Sequence, residues 1–120
     1  MKKLTLYLLL ISFIGCNQPQ LSHVDTAKNV VESFYKNENT KLEKHTTTDS
    51  YQSFMAIQAL VAPGTTQASN FKLIQESVNG DTAWVKFSTS YEDQPEIFKL
   101  VKVDKKWKVT EKDKNEKSPF

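Results

Sequence analysis

Between Ser22 and Lys36 the apolar residues Val24, Ala27, Val30, Val31, Phe34 and Tyr35 recur mostly at intervals of three and four. That spacing places them on one stripe of a helix, with Lys28, Asn29, Glu32 and Lys36 largely off it. Ser22 offers a capping oxygen, and Asp25 stands three residues on, where a capping-box acid belongs. A helix of about four turns is marginal alone in water, so its stripe needs a cover. Leu42–His45 suggests a short helical turn, broken by the β-branched run Thr46-Thr47-Thr48. Asp49 or Ser50 then caps a second helix through Tyr51, Phe54, Met55, Ile57, Gln58 and Val61, and Pro63-Gly64 stops it.

After the polar stretch Thr65–Asn70 the period changes from helical to two. Phe71–Val78 starts as a strand, but Ile74 breaks its alternation. Asn79-Gly80-Asp81 predicts a tight hairpin. Thr82–Tyr91 then carries Ala83, Val85, Phe87, Thr89 and Tyr91 on one face and Trp84, Lys86, Ser88 and Ser90 on the other. Glu92–Pro95 reads as a turn, Glu96–Val103 as a strand, Asp104-Lys105-Lys106 as a second turn, and Trp107–Glu111 as the last strand. Trp107 reads as a peg fixing that strand, and Lys112–Phe120 as a charged, fraying tail. The expected fold is α+β, with N-terminal helices packed on a curved four-stranded antiparallel sheet.

The first residues stand apart from this fold. Lys2 and Lys3 precede Leu4–Ile14, a mostly apolar run of 11 residues. Spanning a bilayer core of roughly 30 Å takes about 20 residues, so the run reads as an export signal. Phe13-Ile14-Gly15-Cys16 resembles the lipobox of bacterial lipoproteins, although Phe13 stands where Leu is usual. The resemblance implies cleavage before Cys16, a diacylglyceryl thioether on its sulfur and an acylated new N-terminus. Two or three acyl chains make a stable anchor. The expected organisation is a lipoprotein signal peptide over 1–15, a lipidated tether over 16–21, the α+β domain over 22–111 and the tail over 112–120.

Charge changes the picture once the signal is set aside. Removing Lys2 and Lys3 from the 16 basic residues leaves 14 against 14 acidic ones, so the mature chain is neutral. The basic residues include no arginine, the side chain best suited to bidentate phosphate recognition. Nucleic acid is therefore not an expected partner. Lys99, Lys102, Lys105, Lys106 and Lys108 read as solubility and edge protection more than as lipid contacts.

Candidate chemistry is sparse. His23 and His45 read as exposed, and neither has a second histidine at metal-ligand spacing, so no metal or cofactor is expected. The sole cysteine, Cys16, is assigned to lipid, and no serine sits in a nucleophile elbow. Glu96, Glu76 and Asp49 are the acids available as a base in an apolar pocket, with Tyr35 or Tyr51 as a phenolic partner. All three acids have polar sequence neighbours, which favours solvated charge. Trp84 reads as packing before contact.

The stretches AKNVVESFYKN, GDTAWVKF and KVDKKWKV, following a lipobox, resemble the DUF4878-type lipoproteins of the NTF2-like (cystatin-like) superfamily over residues 22–111. The resemblance implies a cone of bent strands around a helix, enclosing a pocket, in the envelope of a Gram-negative bacterium. Asn17-Gln18-Pro19-Gln20 lacks an acidic run, which favours a periplasm-facing position. The expected role is a non-catalytic lipoprotein domain binding a small apolar ligand or a protein partner, its pocket lined by Phe34, Tyr35, Phe54, Phe87 and Tyr91. One rival is an isomerase or dehydratase type of enzyme, with Glu96 or Asp49 inside the cone near a tyrosine hydroxyl. Another is a homodimerising scaffold.

Overall fold

The computed structural model describes residues 20–120. The expected signal peptide, Cys16 and most of the tether lie outside them. The described elements are α1 (His23–Lys36), α2 (Asn39–Lys44), α3 (Thr48–Val61), β1 (Lys72–Asn79), β2 (Thr82–Thr89), β3 (Glu92–Val103) and β4 (Lys106–Thr110).

The first helix forms as its pattern predicts. The Ser22 side chain accepts from the Asp25 amide at 3.0 Å, satisfying one of the free donors of the first turn. Asn37 closes the helix in the left-handed conformation (φ 57°). Ala27, Val30, Val31 and Phe34 are buried against Ala83, Val85 and Phe87 of β2, Leu100 of β3 and Val109 of β4. Leu42 of α2 completes that core. Full removal of such side chains from water contributes roughly 1.5–3 kcal/mol each.

The third helix packs only part of its expected stripe, with Tyr51 and Phe54 half-buried against the core. Its buried residues are Ser50 and Gln58, while Met55, Ile57, Leu60 and Val61 are exposed. The Gln58 amide donates to the Phe34 carbonyl at 2.9 Å and to Asn39 Oδ1 at 2.8 Å. It thus occupies a carbonyl in the last turn of α1, where helices leave acceptors open. The polar clamp at Gln58 and the apolar contacts of Tyr51 and Phe54 together orient α3. Its N-cap is Thr47, which makes no side-chain capping bond, rather than the expected Asp49 or Ser50.

The sheet is antiparallel throughout, in the order β1-β2-β3-β4. The irregularity foreseen at Ile74 is a register shift between Leu73 and Gln75, a bulge that gives Ile74 no partner. The first hairpin turns on Gly80-Asp81, with Gly80 at φ 63°. The β2–β3 hairpin turns on Ser90-Tyr91, so β2 ends at Thr89 and not at the expected Tyr91. The β3–β4 hairpin turns on Asp104-Lys105, both at positive φ, so Lys106 belongs to β4 and pairs with Val103. β3 starts four residues earlier than expected. Thr89 pairs with Glu92 and Phe87 with Glu96, so the chain passes through Pro95 inside an irregular stretch of strand. Proline donates no ladder bond and is accommodated at such irregularities.

The expected cone is not formed. The sheet stays open and is not strongly curled, with β1 and β4 as separate edges. Four strands, the last of only five residues, form too little sheet to wrap around α1. The β4 edge is covered instead by the α2–α3 connection. The Thr47 amide donates to the Val109 carbonyl and the Val109 amide to the His45 carbonyl, both at 2.9 Å. The tail expected to fray folds back, its Glu116 meeting Lys99 Nζ at 2.7 Å.

Candidate functional site

Alternation along β3 turns Glu96, Phe98 and Leu100 to the face covered by α1, the face that β2 lines with Ala83, Val85 and Phe87. Glu96 lies directly across from fully buried Phe87. A chain of aromatic rings surrounds this point. Phe87 packs on Phe71 (5.0 Å between centroids) and on Phe98 (4.9 Å). Phe98 continues to Phe54 (6.1 Å), Phe54 to Phe34 (5.1 Å) and Phe34 to Tyr35 (5.1 Å). Tyr35 stacks on Tyr91 at 4.5 Å.

Two acids lie beside this chain of rings, Glu92 exposed and Glu96 partly buried. The Tyr35 hydroxyl, in the last turn of α1, donates to Glu92 Oε1 at 2.8 Å. Glu96 keeps partial exposure, but its Oε2 is buried with no hydrogen-bond partner among the described residues. Burial, with a smaller contribution from the Glu92 charge, pushes the Glu96 carboxyl up to about 7. The Tyr35 phenol is pushed up by burial first, then by its bond to Glu92 and the Glu96 and Glu92 charges. Burial also raises Tyr91, whose hydroxyl donates to the Gln67 carbonyl at 2.9 Å. A carboxyl poised near neutrality holds or releases a proton with little driving force either way, which is what acid–base chemistry at neutral pH requires.

Beside this cluster a groove of about 470 Å³ opens between α3, the free part of β3 and the C-terminal tail. Phe54, Ile57, Ile97 and Phe98 form its apolar wall, with Trp84 and Lys99 on the far side. Glu96 is next to Ile97 in the chain but, like Tyr35 and Glu92, is not among the residues that line this groove.

The three candidate acids thus separate. Asp49 is exposed in the first turn of α3. Glu76 is held by the His23 ring, which is itself only 17% exposed and edge-on to Trp107 at 5.8 Å. His23 is therefore not the free surface residue that its sequence position suggests. His45 is half-buried, and burial followed by the charges of Lys44, Lys41, Lys108 and Lys106 lowers its pKa. Only Glu96 enters apolar surroundings, and Tyr35 rather than Tyr51 supplies the nearby hydroxyl. Of the residues expected to line a pocket, Phe34 and Phe87 are buried core, Tyr35 and Tyr91 form the stacked pair, and Phe54 lines the groove. Glu92, assigned to a turn by its Glu-Asp-Gln-Pro context, is the residue that sequence reasoning missed. Only the register of β3 brings it under Tyr35.

No family model matches the chain, and no curated protein matches its sequence. Among solved structures, the chain is similar to a Campylobacter jejuni protein that carries the name NTF2-like transpeptidase. The two are 19% identical, with a TM-score of 0.56, over 73% of this chain and 96% of the other. At that identity the likeness extends to fold alone and does not reach the DUF4878-type branch. The chain has an NTF2-like α+β fold, carried on an open sheet.

Proposed function

We propose that the protein is a small-molecule acid–base enzyme of the isomerase or dehydratase type, with Glu96 as the proton-transfer group. The observation that carries the reading is the Glu96 carboxyl itself, one oxygen buried and unpartnered inside an aromatic cluster. Leaving a buried acceptor unbonded costs about 1–3 kcal/mol, and such groups call for an explanation that catalysis supplies. In the proposed step the Glu96 carboxylate takes a proton from a carbon next to a carbonyl. The resulting carboxylic acid returns that proton to a second carbon, completing an isomerisation, or to a departing hydroxyl, releasing water. Glu92 and Tyr35 act as positioning residues. Their hydrogen bond fixes the negative charge that keeps Glu96 from ionising early. The adjoining groove, walled by Phe54, Ile57 and Phe98, suits a small, largely apolar substrate.

The transpeptidase name of the Campylobacter protein points to acyl transfer, which needs an activated nucleophile. Residues 20–120 include no cysteine, and no serine hydroxyl there is hydrogen-bonded to a histidine or lysine. Proton transfer has residues to carry it, and acyl transfer does not. The reading keeps the domain in the cell envelope, anchored through Cys16. Lys2, Lys3, the apolar run Leu4–Ile14 and Gly15 support that assignment.

The test is exchange of carbon-bound protons. A panel of small enolisable carbonyl compounds is incubated in D2O with the wild-type protein and with Glu96→Gln, and deuterium uptake is followed by NMR. Exchange by the wild type that falls at least about 100-fold in the variant is expected. Equal exchange by the two proteins, or a Glu96 that titrates with ordinary carboxylates, overturns the reading.

A further inference from the structure

At the end of α1 opposite Tyr35, a second cleft of about 450 Å³ opens where the chain enters the domain. Gln20, Leu21 and Thr26 form one side, Lys44 and His45 a second, and Lys106, Trp107 and Lys108 the third. The lining contains no acidic residue, and the two ion pairs among the described residues involve neither its lysines nor His45. Tertiary structure assembles this group. Lys44 and His45 leave α2 and meet β4 because the His45 carbonyl and Thr47 amide pair with Val109, which brings Lys108 and Lys106 alongside. Trp107 is held across the cleft by the His23 edge and by Lys102, whose Nζ lies 5.1 Å from the ring centre.

We infer that this cleft binds a phosphate-bearing anion, with Lys44, Lys106 and Lys108 as its cationic wall, His45 between them, and Trp107 against the less polar part of the ligand. Convergent cations without a counter-charge repel one another, and an anion between them relieves that repulsion. Three ammonium groups suit a phosphate better than a singly charged carboxylate. Lysine binds phosphate as a point charge, so the absence of the arginine fork is no obstacle. The cleft adjoins residues 20 and 21, the start of the described chain on its tether side, so two sources of one chemistry apply. One is a free phosphate ester, and the other is the headgroup of an anionic phospholipid in the membrane expected to hold the anchor. Either ligand also raises the proton affinity of His45, because its charge opposes those of Lys44, Lys41, Lys108 and Lys106, which hold that ring down.

The experiment uses the full-length protein with Trp84→Phe, which leaves Trp107 as its single tryptophan, reconstituted into phosphatidylcholine bilayers. Trp84 lines the groove beside α3 and not this cleft. Inorganic phosphate is titrated in one arm, and a third of the lipid is replaced by phosphatidylglycerol in the other. Trp107 emission and the pH midpoint of His45 C2–H exchange are read by fluorescence and mass spectrometry. A saturable emission change with a raised His45 midpoint is expected. It appears with inorganic phosphate if the ligand is a free ester, and only with phosphatidylglycerol if it is a headgroup. Lys106→Gln/Lys108→Gln weakens the response by about tenfold or more while the circular dichroism spectrum stays unchanged. If neither arm moves Trp107 or His45 beyond a chloride control of equal ionic strength, the inference is overturned. So it is if the double variant responds like its parent.

Discussion

Burying one oxygen of Glu96 makes folding take up a proton. The carboxyl is held at about 7 in the folded chain against an ordinary 4.5, so between those values the folded form binds more protons than the unfolded one. Stability then falls as pH rises from 4.5 toward 7, and the loss is complete above that window. Glu96→Gln removes the titrating group. Its unfolding free energy is expected to lose this decline, so that near pH 8 the variant is the more stable by about 1–2 kcal/mol, the partial exposure of Glu96 having been discounted. Urea unfolding of both proteins from pH 4.5 to 8 measures the difference, and parallel pH profiles would contradict it. The site was only half legible. Glu96 and Tyr35 were both candidates, but Gln94, Pro95 and Lys99 as sequence neighbours favour a solvated acid. What decides its surroundings is Phe87 across the strand pair and Tyr35 above it.

At the scale of elements, local signals were read well wherever they suffice to specify conformation. The Ser22 cap, the stripe of α1, the alternation of Ala83, Val85 and Phe87 and the break at Ile74 all have structural counterparts at the expected residues. The failures are β3 and α3. Glu92–Pro95 contains turn-forming residues, yet pairing with Thr89 continues the strand through them. The α3 spacing predicts one apolar stripe; Tyr51 and Phe54 make that contact, but Met55, Ile57 and Val61 are exposed and Gln58 docks the helix on the end of α1. The β3–β4 hairpin carries a local conflict of its own. Asp104 and Lys105 adopt φ of 51° and 66°, a pair of left-handed residues that favours Asn-Gly. Lysine in that conformation costs roughly 1–2 kcal/mol. Lys105→Gly is therefore expected to stabilise the protein by about 1 kcal/mol, less than the full strain because glycine also loosens the unfolded chain. A raised urea midpoint at unchanged slope is the outcome sought, and an unchanged or lowered midpoint would contradict it.

Across the whole molecule the neutral mature charge conceals a polarity. Tyr35, Glu92 and Glu96 gather at the C-terminal end of α1, whereas Lys44, Lys106 and Lys108 gather beside residues 20 and 21 at its other end. A helix of 14 residues separates them by about 21 Å. The proposed anchor at Cys16 would put the cationic end toward the bilayer and the carboxyl cluster away from it. The anchor itself is tested by metabolic labelling with palmitate. Label is expected in the wild type, and Cys16→Ser should lose it and move to the soluble fraction. Retained label in the variant would remove the assignment.

The sequence by itself determined the α+β class, the first helix with its cap, the first and last of the three hairpin turns and the buried alternation of β2. Each of these rests on residues within a few positions of one another, where capping, period and turn geometry act directly. Only the tertiary structure decided that the sheet stays open, that Met55, Leu60 and Val61 of α3 are exposed, and that one oxygen of Glu96 loses water. It likewise decided that Lys44 and His45 join Lys106 and Lys108. These outcomes depend on contacts between residues tens of positions apart, such as Tyr35 with Glu92, Phe34 with Gln58 and His45 with Val109. Solvent exclusion and summed charge at such meeting points belong to the assembled chain, and neighbours in sequence do not encode them.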